Sequence, residues 1–199
     1  MKTKDFTVDS RELGMDEALR ATEALGADCG LTRKEILRLR LIAEEMYGML
    51  RSIAGEIADV FWIEHEGKSF ALHLDTELAL NKQTRKQLLS VSSTGKNEAA
   101  KGFMGKLRDM IAANMLPKDS APSVISLGLI GLGGLDDYGV ENYDWSMQKY
   151  KEEIARIEQG ETARKEWDEL EKSIVANIAD DVRIHIVGSS VKLTITKSF

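Results

Sequence analysis

Two pairs of segments alternate hydrophobic and polar residues with a period of two, which is typical of half-buried β-strands. The first pair is 60–65 and 70–75, and the second is 182–187 and 191–196. A short segment containing a glycine joins each pair, so both patterns predict β-hairpins. A weaker alternation over 4–8 predicts an edge strand. In the first hairpin, one face carries Phe70, Leu72 and Leu74, and the other carries Ala71, His73 and Asp75.

Hydrophobic residues recur every three or four positions elsewhere, which predicts amphipathic helices. The longest helix begins at Thr32, which forms a capping box with Glu35, and stops at Gly55. We expect shorter helices over 16–25, closed by Gly26, and over 103–115. The apolar stripe of the long helix is Leu39, Ile42, Ala43, Met46, Met49, Leu50 and Ile53, and that of the last is Met104, Leu107, Met110, Ile111 and Met115.

The charged region 144–179 predicts two further helices separated at Gly160, whereas the glycine-rich apolar segment 127–135 has no assignment. Helices covering one face of a mostly antiparallel, mixed sheet form a two-layer α/β sandwich of the α+β class. A chain of 199 residues is long enough for one domain with a sizeable core. We therefore expect a single domain over 1–199, with a helical insertion at about 117–181.

The composition, 43% hydrophobic and 30% charged, is that of a soluble globular protein. No apolar run reaches the roughly 20 residues that cross a bilayer, and the start has no secretory signal. Cys29 is the only cysteine, which excludes an intrachain disulfide and argues against structural zinc. We expect a cytoplasmic protein. The net charge of −6 argues against general binding to nucleic acid or to anionic membranes.

One segment has the opposite charge. Between 78 and 110, seven basic residues accompany two acidic ones, next to glycines that open a predicted helix. Backbone N–H groups at a helix start bind phosphate well. The segment predicts either a phosphate site or a flexible basic loop, and the residues that would hold phosphate are Gly95, Lys96, Lys101, Gly102, Gly105 and Lys106.

Several common site motifs are excluded. A Walker phosphate loop requires Ser or Thr after the lysine, but Asn97 follows Lys96. Cys29 lies in a glycine-rich turn with no evident base, which argues against a thiol enzyme. The three histidines have no short-range ligand spacing, so a metal site would have to be assembled in three dimensions; they are His65, His73 and His185.

A helix with Glu44 and Glu45, a strand ending at Asp75, and a basic loop before another helix occur here in a specific order. Together with the closing hairpin, this order resembles the histidine kinase-like ATPase superfamily, most closely the anti-sigma-factor serine kinases. The resemblance covers about 34–115 and 182–197. It implies ATP binding and an ATPase or serine/threonine kinase activity. By resemblance, Glu44 would activate water, Asp75 would bind the adenine amino group, and 95–106 would enclose the phosphates.

The chain departs from this family at three positions. Gly48 stands four residues after Glu44, where the family has its Mg²⁺-binding Asn. Glu77 and Ala79 stand where the family has glycines beside adenine. Mg²⁺ and catalysis are therefore the weaker part of the expectation, because phosphoryl transfer depends on the metal. No residue is assigned as a metal ligand.

Three functions remain as alternatives. The first is a nucleotide-binding regulatory protein, with a regulatory protein as a further partner. The second is a degenerate relative that does not bind ATP and acts as a protein interaction module through the helices near 145–178. The third, nucleic-acid binding through the lysine-rich segment, fits the local charge but not the overall acidity. Glu44 is equally consistent with a solvated carboxylate on a helix, and Asp75 with a residue that ends a strand at a turn. A homodimer is a further possibility.

Overall fold

The computed structural model describes residues 1–9, 14–54, 58–77, 103, 107, 111, 142–156 and 161–199. Within these residues, six strands form one sheet in the order β1-β2-β3-β6-β5-β4, and every neighbouring pair is antiparallel. The strands are β1 (Phe6–Asp9), β2 (Ala58–Glu66), β3 (Ser69–Glu77), β4 (Asn142–Ser146), β5 (Asp181–Val187) and β6 (Ser190–Ser198). The predicted α+β class is confirmed. No described pair of strands is parallel.

The described helices are α1 (Met15–Asp28), α2 (Arg33–Ala54), α3 (Met147–Arg156), α4 (Glu161–Lys172) and α5 (Ile174–Ile178). Phe103, Leu107 and Ile111 are also helical and buried, as expected for a helix that begins near 103. None of the helices in the described ranges is long and apolar enough to cross a membrane.

One face of the sheet packs against the helices and forms the core. In β3, Phe70, Leu72 and Leu74 are buried and join the same cluster as Leu39 and Ile42 of α2. The same alternation continues in β6, where Val191, Leu193 and Ile195 are buried. Because successive strand residues point to opposite faces, the sequence pattern correctly predicted which side chains meet the helices.

The α1 to α2 connection shows how local sequence sets helix ends. Thr32 and Glu35 form the predicted capping box: the Thr32 N–H donates to Glu35 Oε2 at 2.6 Å and the Glu35 N–H donates to Thr32 Oγ1 at 3.4 Å. These hydrogen bonds lower the pKa of the Glu35 carboxyl. Helix α2 ends at Ala54, as Gly55 predicted.

The predicted end of α1 at Gly26 is wrong, because the helix continues to Asp28. Its termination signal is Gly30, which has a φ of 71°. The Leu31 N–H donates to the Gly26 carbonyl at 3.0 Å and the Gly30 N–H to the Ala27 carbonyl at 2.9 Å, which is a Schellman motif. Gly26 instead permits close packing, since an added Cβ would lie 3.2 Å from Ile36 Cγ1.

Both predicted hairpins are confirmed, with longer strands than the alternation alone indicated. Gly67 and Gly188 adopt φ angles of 57° and 58° in the two tight turns. Glycine adopts this left-handed conformation without the steric cost that a Cβ would add. The two hairpins lie side by side, because β3 pairs with β6 along its whole length.

The described part of 117–181 begins with a strand that the sequence analysis missed. β4 pairs with β5 and lies at the end of the sheet, and three helices follow it. Ser173 divides the second predicted helix into α4 and α5, and its Oγ accepts a hydrogen bond from the Ala176 N–H. The buried Tyr150 hydroxyl joins α3 to α4 by donating to the Glu166 carboxylate. Gly160 lies outside the described residues.

A buried carboxylate connects α3 to the sheet. Asp181, only 3% exposed, accepts hydrogen bonds from the Gln148 N–H at 3.1 Å and the Val182 N–H at 3.0 Å. Its second oxygen accepts a hydrogen bond from Arg183 Nε at 2.8 Å. Asp181 therefore caps the start of α3 from a neighbouring strand, and its burial is compensated by three donors.

We predict that Asp181→Ala lowers the free energy of unfolding by about 2–3 kcal/mol, because it leaves buried N–H groups without an acceptor. Urea denaturation of the purified protein measures this change. Asp168→Ala, at an exposed position of α4, is the matched control and should change stability by less than about 0.5 kcal/mol. Equal effects of the two substitutions would contradict the capping role.

Candidate functional site

Asp75 lies on the face of the sheet that is opposite to the described helices. Its neighbours in β3, Leu74 and Thr76, are buried on the helix side, whereas the Asp75 side chain is 31% exposed. The carboxylate lies 3.6 Å from the ammonium of Lys192, its partner in β6. Asp75 therefore makes a cross-strand ion pair on this second face.

Aromatic and polar side chains surround Asp75 on the same face. Trp62 and His73 are stacked with ring centroids 4.8 Å apart, and the Lys2 ammonium lies 4.6 Å from the centre of the Trp62 ring. His73 Nδ1 is 3.2 Å from Thr194 Oγ1. Burial lowers the pKa of His73, although Glu64 and Asp75 oppose this effect. This cluster binds the N-terminal segment to the sheet through contacts within the chain.

Glu44 lies on α2, at the contact between the first two helices. Its carboxylate accepts a hydrogen bond from Arg40 Nε at 2.8 Å. Arg40 also donates to Glu23 of α1 at 2.6 Å, so one guanidinium connects two carboxylates on neighbouring helices. The Glu44 side chain is 35% exposed. In this structure Glu44 acts as a helix-pairing carboxylate.

The structure does not bring Glu44 and Asp75 together. α2 packs against the buried side of the sheet, with Leu39 and Ile42 in the core, and Asp75 points to the other side. The remaining predicted site residues lie outside the described residues: Gly95, Lys96, Lys101, Gly102, Gly105 and Lys106. The roles predicted for these residues stay predictions.

A different carboxylate, Asp59 in β2, does face the helices. Val60 pairs with Asp75, so the preceding Asp59 and the following Thr76 lie side by side on the helix face. Each of the two residues is 2% exposed. Asp59 Oδ1 and Thr76 Oγ1 make no hydrogen bond of good geometry within the described part of the chain. Two adjacent buried polar groups thus retain unused hydrogen-bonding capacity.

Burial raises the pKa of the Asp59 carboxyl, because removal from water disfavours the charged form. The Thr76 hydroxyl is close enough to oppose this shift, and the negative charge of Asp9 in β1 adds to it. Buried polar groups are normally satisfied by hydrogen bonds, so Asp59 is an exception that requires an explanation. A bound ligand with an N–H donor would supply the missing partner.

An apolar indentation with room for about one water molecule lies between α1, α2 and the first strands. Asp59 is not one of its lining residues, but it adjoins two of them: Val8 is its partner in β1, and Phe61 follows on the same face of β2. The lining residues are Val8, Met15, Ala18, Leu19, Ala43, Tyr47 and Phe61. In this conformation the space is too small for a nucleobase.

The sequence contained a signal for Asp59 that the strand prediction did not use. The predicted strand began at Val60, although extending the alternation back by one residue places Asp59 on the same face as Phe61 and Ile63. Thr76 was missed because the predicted strand ended at Asp75, one residue before it. A polar residue in a core position of the alternation marks an unusual burial.

Cys29 also has a neighbour that the sequence did not reveal. Its Sγ lies 3.4 Å from His65 Nδ1, although 36 residues separate them. The expectation that no base lies near this thiol is therefore wrong. Both residues are half-buried. Within the described ranges, no group of three or more His, Cys, Asp or Glu side chains is arranged to hold a metal ion.

Comparisons with known proteins give no match to this chain, whether with protein-family models, curated proteins or solved structures.

We predict that Asp59→Asn stabilises the protein by about 1–2 kcal/mol near pH 8, because it removes a buried charge without changing the side-chain shape. The pKa of Asp59 is raised on folding, so the unfolded chain ionises first as the pH rises above the ordinary value of 3.8. The destabilising effect of ionisation therefore appears between that value and the raised pKa, and is absent below both.

Chemical denaturation of both proteins from about pH 4 to pH 8 measures this difference. The stability gain of Asp59→Asn should grow with pH and then become constant. Asp75→Asn is the matched control, since Asp75 is partly exposed and ion-paired. A stability loss in Asp59→Asn at neutral pH would indicate that Asp59 makes stabilising hydrogen bonds in the native state.

Proposed function

We propose that this protein is a cytoplasmic nucleotide-binding regulatory protein that resembles the anti-sigma-factor serine kinases and takes ATP as its ligand. The observation that carries the proposal is the buried pair Asp59 and Thr76, which faces the helix layer with unused hydrogen-bonding capacity. In this proposal Asp59, rather than Asp75, is the carboxylate that contacts the base.

The chemistry of the pair fits the edge of an adenine base. A carboxylate accepts a hydrogen bond from an amino group, and a hydroxyl can donate to a ring nitrogen. The adjoining indentation between α1 and α2 is lined mainly by aliphatic and aromatic side chains. Small-molecule sites commonly combine an apolar wall with a few fixed polar groups. In this proposal the pair supplies the polar groups, and the apolar side chains beside it would have to separate to admit the base.

The polar pair is also close in sequence to the segment that is predicted to bind phosphate. β3 ends at Glu77, immediately after Thr76, and the chain then enters the segment with seven basic residues. That segment is followed by helical positions at Phe103, Leu107 and Ile111, which are buried in the core. Anchoring at these positions supports the proposal that the basic residues contact the phosphates of a nucleotide bound at Asp59.

Binding is a better-supported part of the proposal than catalysis. Glu44, the residue expected to activate water, is engaged by Arg40. Gly48 replaces the metal-binding Asn, although an added Cβ there would meet nothing within 4 Å, so space does not require glycine. Without that ligand, Mg²⁺ would be held less firmly during phosphoryl transfer. We therefore propose a protein that is regulated by nucleotide binding.

We predict that ATP binds the wild-type protein and that Asp59→Asn weakens binding at least about tenfold, because the amide presents a different hydrogen-bonding pattern and no charge. Isothermal titration calorimetry with ATP, with and without Mg²⁺, measures the affinities. Asp75→Asn makes the same chemical change on the opposite face of the sheet and should leave the affinity within about twofold.

No heat of binding at millimolar ATP would overturn the proposed function. If Asp75→Asn lost ATP binding and Asp59→Asn retained it, the result would instead support Asp75 as the residue that binds the adenine amino group, as the family resemblance implies. Thermal denaturation of each variant without ligand shows whether it is folded, so that loss of binding is not confused with loss of structure.

A second candidate function is protein interaction through the region after β4. Trp167 of α4 and Ile174 of α5 are 37% and 49% exposed. Exposed large apolar side chains are common at protein interfaces. This observation favours the alternative of a relative that acts by binding another protein.

For this alternative we predict that Trp167→Ala combined with Ile174→Ser reduces recovery of specific partners from a native lysate at least about fivefold, because the exposed anchors are removed. Leu37→Ala, at another exposed apolar position of a helix, is the matched control. Equal recovery of partners by the wild type, the double variant and Leu37→Ala would contradict an interface at this surface.

A further inference from the structure

Cys29 and His65 form a thiol–imidazole pair where α1 meets β2. Cys29 Sγ lies 3.4 Å from His65 Nδ1, a hydrogen-bonding distance for sulfur. A nucleophile with a base within reach of its proton is the arrangement that activates cysteine for covalent chemistry. The nucleotide site and the interaction surface proposed for this protein do not use the pair, so its chemistry is a separate property of the chain.

The backbone holds the thiol at the end of α1. Cys29 is the C-cap of this helix, and its N–H donates to the Leu25 carbonyl at 2.9 Å. Gly30 follows with a φ of 71°, and a Cβ added at Gly30 would meet nothing within 4 Å. The thiol is half-buried. It is therefore fixed in position, and a small reagent can reach it on the side of Gly30.

Contacts that do not involve the thiol hold the imidazole. His65 pairs with Phe70 across the first hairpin, and their rings are stacked with centroids 5.9 Å apart. The His65 N–H donates to the Met1 carbonyl at 2.7 Å. Packing and backbone pairing thus orient the ring before any reaction. A base that is already in position avoids the entropy cost of orienting it.

The position at the end of α1 makes the thiol dependent on a neighbouring cation. The carbonyl end of a helix carries partial negative charge, which disfavours a thiolate and favours an imidazolium. The last turn of α1 has no basic residue, and Asp28 precedes Cys29. In the adjacent hairpin turn, Lys68 acts on Glu35 of α2. Among the described residues, His65 is the titratable group within hydrogen-bonding distance of the sulfur.

We propose that Cys29 is a nucleophilic thiol activated by His65, and that hydrogen peroxide oxidises it to a sulfenic acid. In the tautomer with its proton on Nε2, His65 accepts the thiol proton at Nδ1. The sulfur then attacks one peroxide oxygen, and the S–O bond forms as the O–O bond breaks. The leaving hydroxide takes the proton from the imidazolium and becomes water. The sulfur is oxidised by two electrons, the peroxide is reduced by two, and the product carries an S–OH group.

The decisive experiment compares the folded chain with the same chain unfolded in urea. Cys29 is the only cysteine, so loss of free thiol in the whole protein reports this residue alone. Hydrogen peroxide is added at about pH 7, the remaining thiol is measured after quenching, and dimedone identifies the sulfenic acid by mass spectrometry. We expect the folded protein to react at least about fivefold faster, although its thiol is less exposed. A folded protein that reacts no faster than the unfolded chain overturns the proposal.

His65→Gln tests the base directly, because glutamine is polar but does not accept the thiol proton. At about pH 7 this variant should react at least about tenfold more slowly than the wild type. The pKa of an ordinary cysteine thiol is about 8.5. At about pH 10 a thiol therefore ionises without a base, and the two proteins should react at similar rates. His185→Gln changes a histidine that contacts Asp144 instead and should behave as the wild type.

The pH dependence separates a base from a residue that only supports the fold. Thermal denaturation shows whether each variant is folded. A His65→Gln rate that is lowered by the same factor at every pH indicates altered access and overturns the role of His65. A dimedone adduct in Cys29→Ser overturns the assignment of Cys29. A rate advantage near pH 7 that disappears at high pH supports the proposal. None of these measurements uses a nucleotide, so they do not depend on the proposed function.

Discussion

The alternation of side chains across the antiparallel sheet is the constraint on which the rest of the structure depends. Burying Leu72, Leu74 and Leu193 against the helices fixes the register of β3 and β6, because a shift by one residue would expose all three. The same constraint assigns every other strand residue to a face. It therefore places Asp59 towards the helices and Asp75 away from them.

Burial alone does not distinguish a structural carboxylate from a functional one, but the neighbouring donors do. Asp181 is buried and fully engaged, and its hydrogen bonds join α3 to β5. Asp59 is equally buried, but its Oδ1 has no hydrogen-bond partner among the residues that the structure describes. Leaving such a buried group without a partner lowers the free energy of unfolding by about 1–3 kcal/mol. A well-packed apolar residue at the same position would not have this cost. The proposed binding role of Asp59 would account for this cost.

The sequence predicted features that depend on nearby residues, and missed those that depend on distant ones. The Thr32 capping box and both hairpins involve residues within a few positions of each other, and they were confirmed. By contrast, β4 is a five-residue strand without a clear alternation, and only pairing with β5 defines it. The contact of Cys29 with His65 likewise exists only after β2 packs near α1. The sequence also could not show that Glu44 and Asp75 are on opposite sides of the sheet, because this depends on which face the helices cover.

Charge decides whether an acidic chain can accept an anionic nucleotide. The net charge of −6 repels ATP at long range, but at physiological ionic strength charges farther apart than about 8 Å are largely screened. The local balance around the ligand then matters more than the total. The seven basic residues lie between 78 and 110, in the part of the sequence that follows β3. Under the proposed function, the buried acceptor in β2 would serve the base, and this basic part of the sequence would serve the polyanionic tail.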